Sequence, residues 1–330
     1  MNKNIIILAT IAIILCSCTS KEKEANELCN TGWELIAKGN DQADTTLFDS
    51  ANAIFDKALA IIPTAEAYAG KAKYYVAKKN LEEAIVWANK SLAIDSVHNA
   101  KAFGVKGEIA REQKEYKLAL YYHQKQFEAS QNDADKADAL GQTGYAYWWL
   151  HETDKVFEYF KKAYELNPTD NVIMNRLAVA YSENGYYEKS NDIHDKIIAL
   201  NFGKLANARS WNNKAANFNY LKMHPAALLC CKKALEINPD YITCYVMTGW
   251  TYYFLEQYDS ALIWYDKLLQ MDSTDVGTLQ LKGQAYQAMG QKYYPQALAY
   301  YEKALRLAPE GNFTQELNDF IASIKKQMQK

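Results

Sequence analysis

Two consecutive stretches of this 330-residue chain match each other without a gap. One begins at Trp211 and reads WNNKAANFNYLKMHPAALLCCKKALEINPD, and the other begins at Tyr245 and reads YVMTGWTYYFLEQYDSALIWYDKLLQMDSTD. In both, the bulky first residue is followed four positions later by a small one, Ala215 or Gly249. A fixed period of about 34 residues indicates a repeat architecture in which each unit stacks on its neighbours.

The rarity of helix breakers indicates the secondary structure of the repeat. The chain has only six prolines and fourteen glycines. Between them lie long segments whose apolar residues recur with helical spacing, which favours helices over strands. The sequence therefore predicts an all-α protein.

The same pattern of small, bulky and closing residues recurs along most of the chain. The small residue of each first helix is Ala72, Gly107, Gly144, Ala178, Ala215, Gly249 or Gly283. The small residue of each second helix is Ala51, Ala84, Ala119, Ala227, Ala261 or Ala297, with Val156 and Ser190 in the fourth and fifth repeats. A closing proline follows at Pro63, Pro168, Pro239 and Pro309. The pattern resembles the tetratricopeptide repeat.

This resemblance implies a right-handed α-solenoid superhelix of about eight helix-turn-helix repeats over residues 26–310. Two helices approach closely where a small side chain leaves room for a large one from the partner helix. Residues 311–330 carry an apolar stripe with helical spacing and are predicted to form a capping helix. Departures from the period fall in turns: residues 41–46 are expected to form a long loop, and residues 291–295 to lengthen the turn of the eighth repeat.

The N-terminus has the layout of a bacterial export signal. Lys3 precedes an apolar run over residues 5–15, which is short for a transmembrane helix. The sequence Leu15-Cys16-Ser17-Cys18 resembles the lipobox of bacterial lipoproteins. That resemblance implies a signal peptide over residues 1–17, a lipidated Cys18, a tether over residues 18–25 and an outer-membrane location, on the periplasmic face or the cell surface. The alternative is an ordinary secretory signal with two incidental cysteines.

The sequence contains no pattern that specifies catalysis, a cofactor or a metal site. With a net charge of −2, the chain lacks the excess of positive charge that is typical of nucleic-acid-binding proteins. No two histidines are three or four residues apart, and His123 and His194 fall where a bulky core residue is expected. The chain is predicted to be non-catalytic and to need no cofactor, the alternative being an enzyme that uses an unrecognised acidic pair.

The body of the chain contains four cysteines, Cys29, Cys230, Cys231 and Cys244. Their spacing matches no metal-ligand motif. Buried thiols are expected, and a bridge between Cys244 and one of the adjacent pair stays open.

In tetratricopeptide repeats the first helices line the concave groove. The resemblance places the groove-facing side chains six and three positions before the small residue of each first helix, and one, four and five positions after it; we call this set the first-helix face. In the second and third repeats it is charged, with Lys73 and Glu108 as examples, whereas the eighth repeat has Gln280, Gln284 and Gln287. The predicted ligand-binding residues are Tyr145, Trp148, Trp149, Asn175, Arg209, Asn212, Asn219, Trp250 and Tyr253.

Aromatic rings supply contact area, and amides bind the backbone of an extended ligand. The sequence therefore predicts a protein-interaction module of the cell envelope that binds an extended peptide or a helix of a partner protein. The alternative is a glycan-binding outer-membrane lipoprotein on the same scaffold, because rings also stack on sugars. Whether the chain pairs with itself stays open.

Overall fold

The computed structural model describes residues 3–42, 44–310 and 313–329, with side chains from residue 20 onward except 41 and 42. Within these ranges the chain forms α-helices and one short 3₁₀-helix (Gln291–Tyr293), and no strand. The helices are α1 (Lys3–Gln42), α2 (Thr45–Ile61), α3 (Ala65–Ala77), α4 (Leu81–Ile94), α5 (Ala100–Glu112), α6 (Tyr116–Ala129), α7 (Asp133–Trp149), α8 (Thr153–Leu166), α9 (Asn171–Glu183), α10 (Tyr187–Leu200), α11 (Lys204–Tyr220), α12 (His224–Ile237), α13 (Ile242–Phe254), α14 (Tyr258–Met271), α15 (Val276–Ala288), α16 (Tyr294–Leu307) and α17 (Thr314–Met328).

The chain divides into two compact units, the first ending at Ile173 and the second beginning at Met174. In the first unit α1 packs on α2, α3 on α4, α5 on α6 and α7 on α8. In the second unit α11 packs on α12, α13 on α14 and α15 on α16. In each unit second helices also pack on the first helix of the next repeat, as α2 does on α3 and α12 on α13. The predicted all-α stack of helical hairpins is confirmed.

Within a hairpin, a small residue of the first helix packs against a large side chain of the second helix, as two examples show. A Cβ at Gly249 would overlap the ring of Tyr265, and one at Gly283 would overlap Tyr301. Tyr265 and Tyr301 are fully buried. Glycine is therefore needed at these two positions for close approach of the helices, as the repeat pattern predicts.

The ends of the hairpins also follow the pattern. The four closing prolines, Pro63, Pro168, Pro239 and Pro309, each lie two residues after the end of a second helix, because proline disfavours helical geometry in the residue before it. The turn of the eighth repeat is lengthened, as predicted, by the 3₁₀-helix Gln291–Tyr293, whereas Tyr294 and Pro295 already belong to α16. The long loop expected at residues 41–46 is wrong: α2 begins at Thr45, and the side chain of Asp44 caps it by accepting a hydrogen bond from Thr46 N at 2.9 Å.

The turn inside each repeat has a backbone conformation that could not be predicted from the sequence. In every repeat from the second to the eighth, the residue seven positions after the small residue of the first helix has a positive φ: Lys79, Lys114, His151, Gly185, Lys222, Glu256 and Gly290. Only two of them are glycines, although left-handed geometry costs other residues about 1–2 kcal/mol. The packing of the hairpin therefore outweighs local preference at the other five.

Three buried lysines join neighbouring repeats. Lys71, Lys214 and Lys282 each immediately precede the small residue of a first helix and are at most 7% exposed. They bind Asp56, Asp195 and Asp266 on the second helix of the preceding repeat. Their ammonium groups also lie over aromatic rings, 4.8 Å from Trp87, 5.0 Å from Trp211 and 4.5 Å from Tyr300. These contacts satisfy charges that would otherwise be costly to bury.

The two ends of the described chain differ. Helix α17 covers the last hairpin with Leu317, Ile321 and Ile324, which are buried against a core that includes Tyr301, so the predicted capping helix is confirmed. Helix α1 is continuous from Lys3, and its Ala25 and Cys29 are fully buried. The side chain of Cys18 lies outside the described residues. Among the residues that the structure describes, no helix combines the length and apolar character needed to cross a membrane.

Candidate functional site

The nine predicted binding residues fall in both units, and each unit is described by itself. Tyr145, Trp148 and Trp149 lie in the first unit, and the other six lie in the second. All nine are on first helices: α7 holds the first three, and α9, α11 and α13 hold the rest.

In the first unit, charged residues of the first-helix face pair with one another across repeats. Lys73 Nζ lies 2.5 Å from Glu108 Oε2, and Lys101 Nζ lies 2.5 Å from Glu66 Oε1. Lys101 also lies over the ring of Trp33, 4.7 Å from its centroid. The sequence predicts a charged surface here, and the structure shows that these charges are paired. Opposite charges at the same position of successive repeats are the sequence feature that indicates such pairs.

Aromatic residues of the first unit form a cluster at the end of α7. The ring of Tyr145 lies 6.1 Å from Trp148 and 6.2 Å from Trp149, both edge to face. Trp149 stacks on Tyr116 at 5.8 Å and an interplanar angle of 4°, and is 47% exposed. The Arg111 guanidinium lies 5.4 Å from the centre of the Tyr145 ring. The three predicted aromatics are therefore brought together, with Trp149 the most open.

The second unit has its own aromatic group, which we call the second aromatic cluster: Trp250, Tyr253 and Phe254. Phe254 lies 6.3 Å from Trp250 and 6.0 Å from Tyr253. Phe254 also stacks on His224 at 5.7 Å. Trp250 is 41% exposed and Phe254 is 47% exposed. Much apolar ring surface here is thus open to a partner.

Four amides of the second unit have a buried oxygen that accepts no hydrogen bond from the described residues: Asn175 Oδ1, Asn207 Oδ1, Asn212 Oδ1 and Gln280 Oε1. All but Asn207 lie three positions before the small residue of their first helix, on α9, α11 and α15. Asn212 is 4% exposed and Gln280 is 7% exposed. A buried acceptor without a donor is energetically unfavourable.

Asn219 differs from the other predicted amides. Its Nδ2 donates to Thr251 Oγ1 at 2.8 Å and contacts Met247 Sδ at 3.5 Å, and its Oδ1 lies 3.1 Å from His224 Nδ1. These bonds link α11 to α12 and α13. Its role in ligand binding stays a prediction, but its amide already has partners within the chain.

Charge is sparse on the first-helix face of the second unit. Arg209 is exposed. Glu183 is exposed as well, and the partial burial of its carboxyl group raises its pKa above the ordinary value. One position after the small residue, where the second and third repeats have Lys73 and Glu108, the second unit has Val179, Ala216, Trp250 and Gln284.

The predicted core histidines are buried, with different surroundings. His123 Nδ1 lies 3.0 Å from Gln126 Oε1, and Gln126 donates in turn to Asp138 Oδ2 at 2.8 Å. His194 Nδ1 is buried without a partner among the described residues. Burial and the nearby Lys214 ammonium lower the pKa of His194 from 6.5 to about 4, whereas Asp195 opposes this shift. Both rings fill core space.

The four body cysteines, Cys29, Cys230, Cys231 and Cys244, are buried free thiols. Cys244 Sγ donates to the carbonyl oxygen of Cys231 at 3.5 Å. No group of three or more histidine, cysteine or acidic side chains in the described ranges is arranged to hold a metal ion.

Comparison with known proteins identifies the repeat. Tetratricopeptide repeat profiles match residues 65–98, 208–241, 242–275 and 276–310. A TPR repeat-containing protein of Methanocaldococcus jannaschii is 25% identical over 260 residues, which cover 76% of this chain and 44% of the relative. The chain thus spans less than half the length of that relative.

Solved structures with the same fold include two bacterial proteins. A tetratricopeptide repeat protein from Parabacteroides merdae is similar with a TM-score of 0.61 and 16% identity, over 79% of this chain and 98% of that one. Pseudomonas aeruginosa pilF is similar with a TM-score of 0.51 and 20% identity, over 68% of this chain and 96% of that one. The chain is therefore a helical-repeat protein that contains tetratricopeptide repeats, in both its first and its second unit.

Proposed function

We propose that this chain is a non-catalytic protein-interaction module that binds an extended segment of a partner protein on the first-helix face of its second unit. The observation that carries the proposal is that the buried oxygens of Asn175, Asn212 and Gln280, at the same position of three first helices, accept no hydrogen bond from the described residues. These amides share the face with the exposed rings of the second aromatic cluster.

The chemistry of these amides favours an extended ligand over a helical one. The backbone N–H groups of a helix are already bonded within the helix, except in its first turn. An extended segment keeps its N–H groups available, and each can bond to an acceptor such as Asn212 Oδ1 when that side chain turns outward from its buried position. Exposed rings beside the amides would bury the apolar side chains of the same segment.

Replacing Asn175 and Asn212 together by alanine is expected to weaken partner capture by about 5- to 150-fold, since two hydrogen bonds of about 0.5–1.5 kcal/mol each are lost. Thermal unfolding should change little, because the two amide oxygens accept no bond from the described residues. Capture from cross-linked cell envelopes, quantified for wild type and variant side by side, measures the first effect.

Asn219→Ala is the matched control for this experiment. It removes an amide from the same face, but one that bonds to Thr251 and His224. It should therefore lower the melting temperature. A large drop in melting temperature for the Asn175/Asn212 variant would instead show that those amides are structural, and would contradict the proposal.

A glycan ligand is the competing reading, favoured by the open rings of Trp149 and Trp250. Titrating the protein with envelope oligosaccharides separates the two. Saturable binding of an oligosaccharide that is lost in Trp250→Ala would show that the ligand is a sugar and not a peptide.

We further propose that the protein is anchored to the outer membrane by lipid on Cys18, which the lipobox-like sequence around it supports. A second acyl chain makes such an anchor stable, at about 0.8 kcal/mol per buried methylene. Cys18→Ala is expected to move the protein from the membrane pellet to the soluble fraction, with Cys16→Ala as a control that stays in the pellet. Retention of Cys18→Ala in the membrane would argue against the anchor.

A further inference from the structure

We infer that the segment bound by the second unit is uncharged, with at least one bulky apolar side chain, and is not an acidic or basic motif. This inference rests on the proposed function and names the class of partner that the same face would accept.

The first reason is the lack of charge at the two central positions of the face. Three positions before the small residue the second unit has Asn175, Asn212, Val246 and Gln280, and one position after it Val179, Ala216, Trp250 and Gln284. A charged ligand side chain placed here would lose water and meet no opposite charge. Such desolvation is costly, so the face disfavours charged segments.

The second reason is that the nearby buried lysines already have partners. Lys214 and Lys282 are 7% and 3% exposed, and they bind Asp195 and Asp266 and lie over aromatic rings. Burial lowers the pKa of Lys282, but Asp266 and Tyr300 beside its ammonium group outweigh burial and hold the pKa above its ordinary value. The ammonium groups of both lysines therefore bind partners within the chain and are not presented to a ligand.

Arg209 is the exposed cation on this face, and Glu183 is an exposed carboxylate on it. Because both are open to water, an ion pair between either of them and a ligand would contribute little to binding. By contrast, the first unit places Lys73, Glu108, Lys101 and Glu66 on its own first-helix face and pairs them with one another. Neither unit thus offers a cluster of unpaired charge at the positions described.

The third reason is the apolar surface that is open in the second unit. Trp250 and Phe254 expose about two fifths to a half of their side chains, and Tyr220, stacked on Tyr187 at 5.1 Å, is 64% exposed. Rings of this kind gain most from a bulky apolar side chain, since burial of apolar area is the driving force.

The test is a selection from a random peptide library displayed on phage, against the purified full chain in detergent. Enriched peptides are expected to contain an aromatic or large aliphatic residue and no more charge than the starting library. Their affinity should change less than about twofold between low and high salt, because few charges are screened. Trp250→Ala should reduce affinity at least about tenfold, and Arg209→Gln less than about twofold.

The outcomes separate the inference from the function on which it rests. Enrichment of acidic or basic peptides, with affinity that falls steeply with salt or is lost in Arg209→Gln, overturns the inference and leaves peptide binding intact. Peptides that bind the Asn175/Asn212 alanine variant as well as wild type overturn the proposed site together with the inference.

Discussion

Replacing Tyr265 by alanine is expected to lower the free energy of unfolding by about 3–5 kcal/mol, the usual cost of removing a large buried ring. Tyr265 is fully buried and fills the space that Gly249 leaves on the first helix of the same hairpin. Alanine would leave a cavity that two packed helices close only in part. Urea unfolding, followed by circular dichroism, measures the loss.

Two phenylalanine variants make this test specific. The Tyr265 hydroxyl is buried and has no hydrogen-bond partner among the described residues, so Tyr265→Phe should leave stability unchanged or raise it. The Tyr301 hydroxyl donates to Gln287 Oε1 at 2.9 Å, so Tyr301→Phe should lower stability by about 0.5–1.5 kcal/mol. A mild effect of Tyr265→Ala would mean that Gly249 and Tyr265 do not form the close contact described.

Acidification is expected to destabilise the protein through His194, by about 3 kcal/mol between pH 6.5 and pH 4. Burial and Lys214 lower the pKa of this ring from 6.5 to about 4, so the folded chain keeps it neutral where the unfolded chain protonates it. The unfolded state therefore binds more protons in this interval. The contribution of His194 to stability is complete above pH 6.5 and is lost as the pH falls toward 4.

The measurement is the free energy of unfolding at several pH values for wild type and His194→Leu. The difference between them should shift in favour of the variant as the pH falls. Burial also lowers the pKa of His123, although its hydrogen bond to Gln126 opposes this, so part of the acid sensitivity will remain in the variant. An identical pH dependence of the two proteins would contradict a buried neutral ring at this position.

Most of the repeat register could be predicted from the sequence, because close packing of two helices requires small residues at particular positions and helix ends favour proline. Gly249 and Gly283 are small where a partner ring comes close, and Pro168 and Pro239 follow second helices that must end. The stripe of Leu317, Ile321 and Ile324 predicted a covering helix from spacing alone. In each case the requirement is local or is repeated at a fixed interval, so it is visible without coordinates.

The loop at residues 41–46 shows where this reasoning failed. Polar residues there suggested a long connection, but Asp44 serves as a helix cap and α2 starts at Thr45. The same limit applies to turn residues such as Lys222 and Glu256, whose positive φ is imposed by hairpin packing against local preference. A sequence pattern reports what a residue prefers and not what its neighbours impose.

For the candidate site, the sequence placed aromatic and amide residues on first helices, and the structure shows how differently they are used. Asn219 and Asn212 are the same residue type on one helix, yet Asn219 is bonded to α12 and α13, whereas the Oδ1 of Asn212 is buried without a donor among the described residues. The partners of Asn219 are on other helices, and Thr251 is in the next repeat, so hydrogen-bond status could not be predicted from position.

The sequence by itself determined the helical hairpin, its period, the contact between its small and large side chains, and the helix that covers the last hairpin. This is because the steric fit within one hairpin requires residues of particular size at fixed spacings. Only the tertiary structure decided which polar groups are already paired, as Lys73 is with Glu108 and Lys214 with Asp195. Those pairings join different repeats, and their geometry depends on how one hairpin packs on the next.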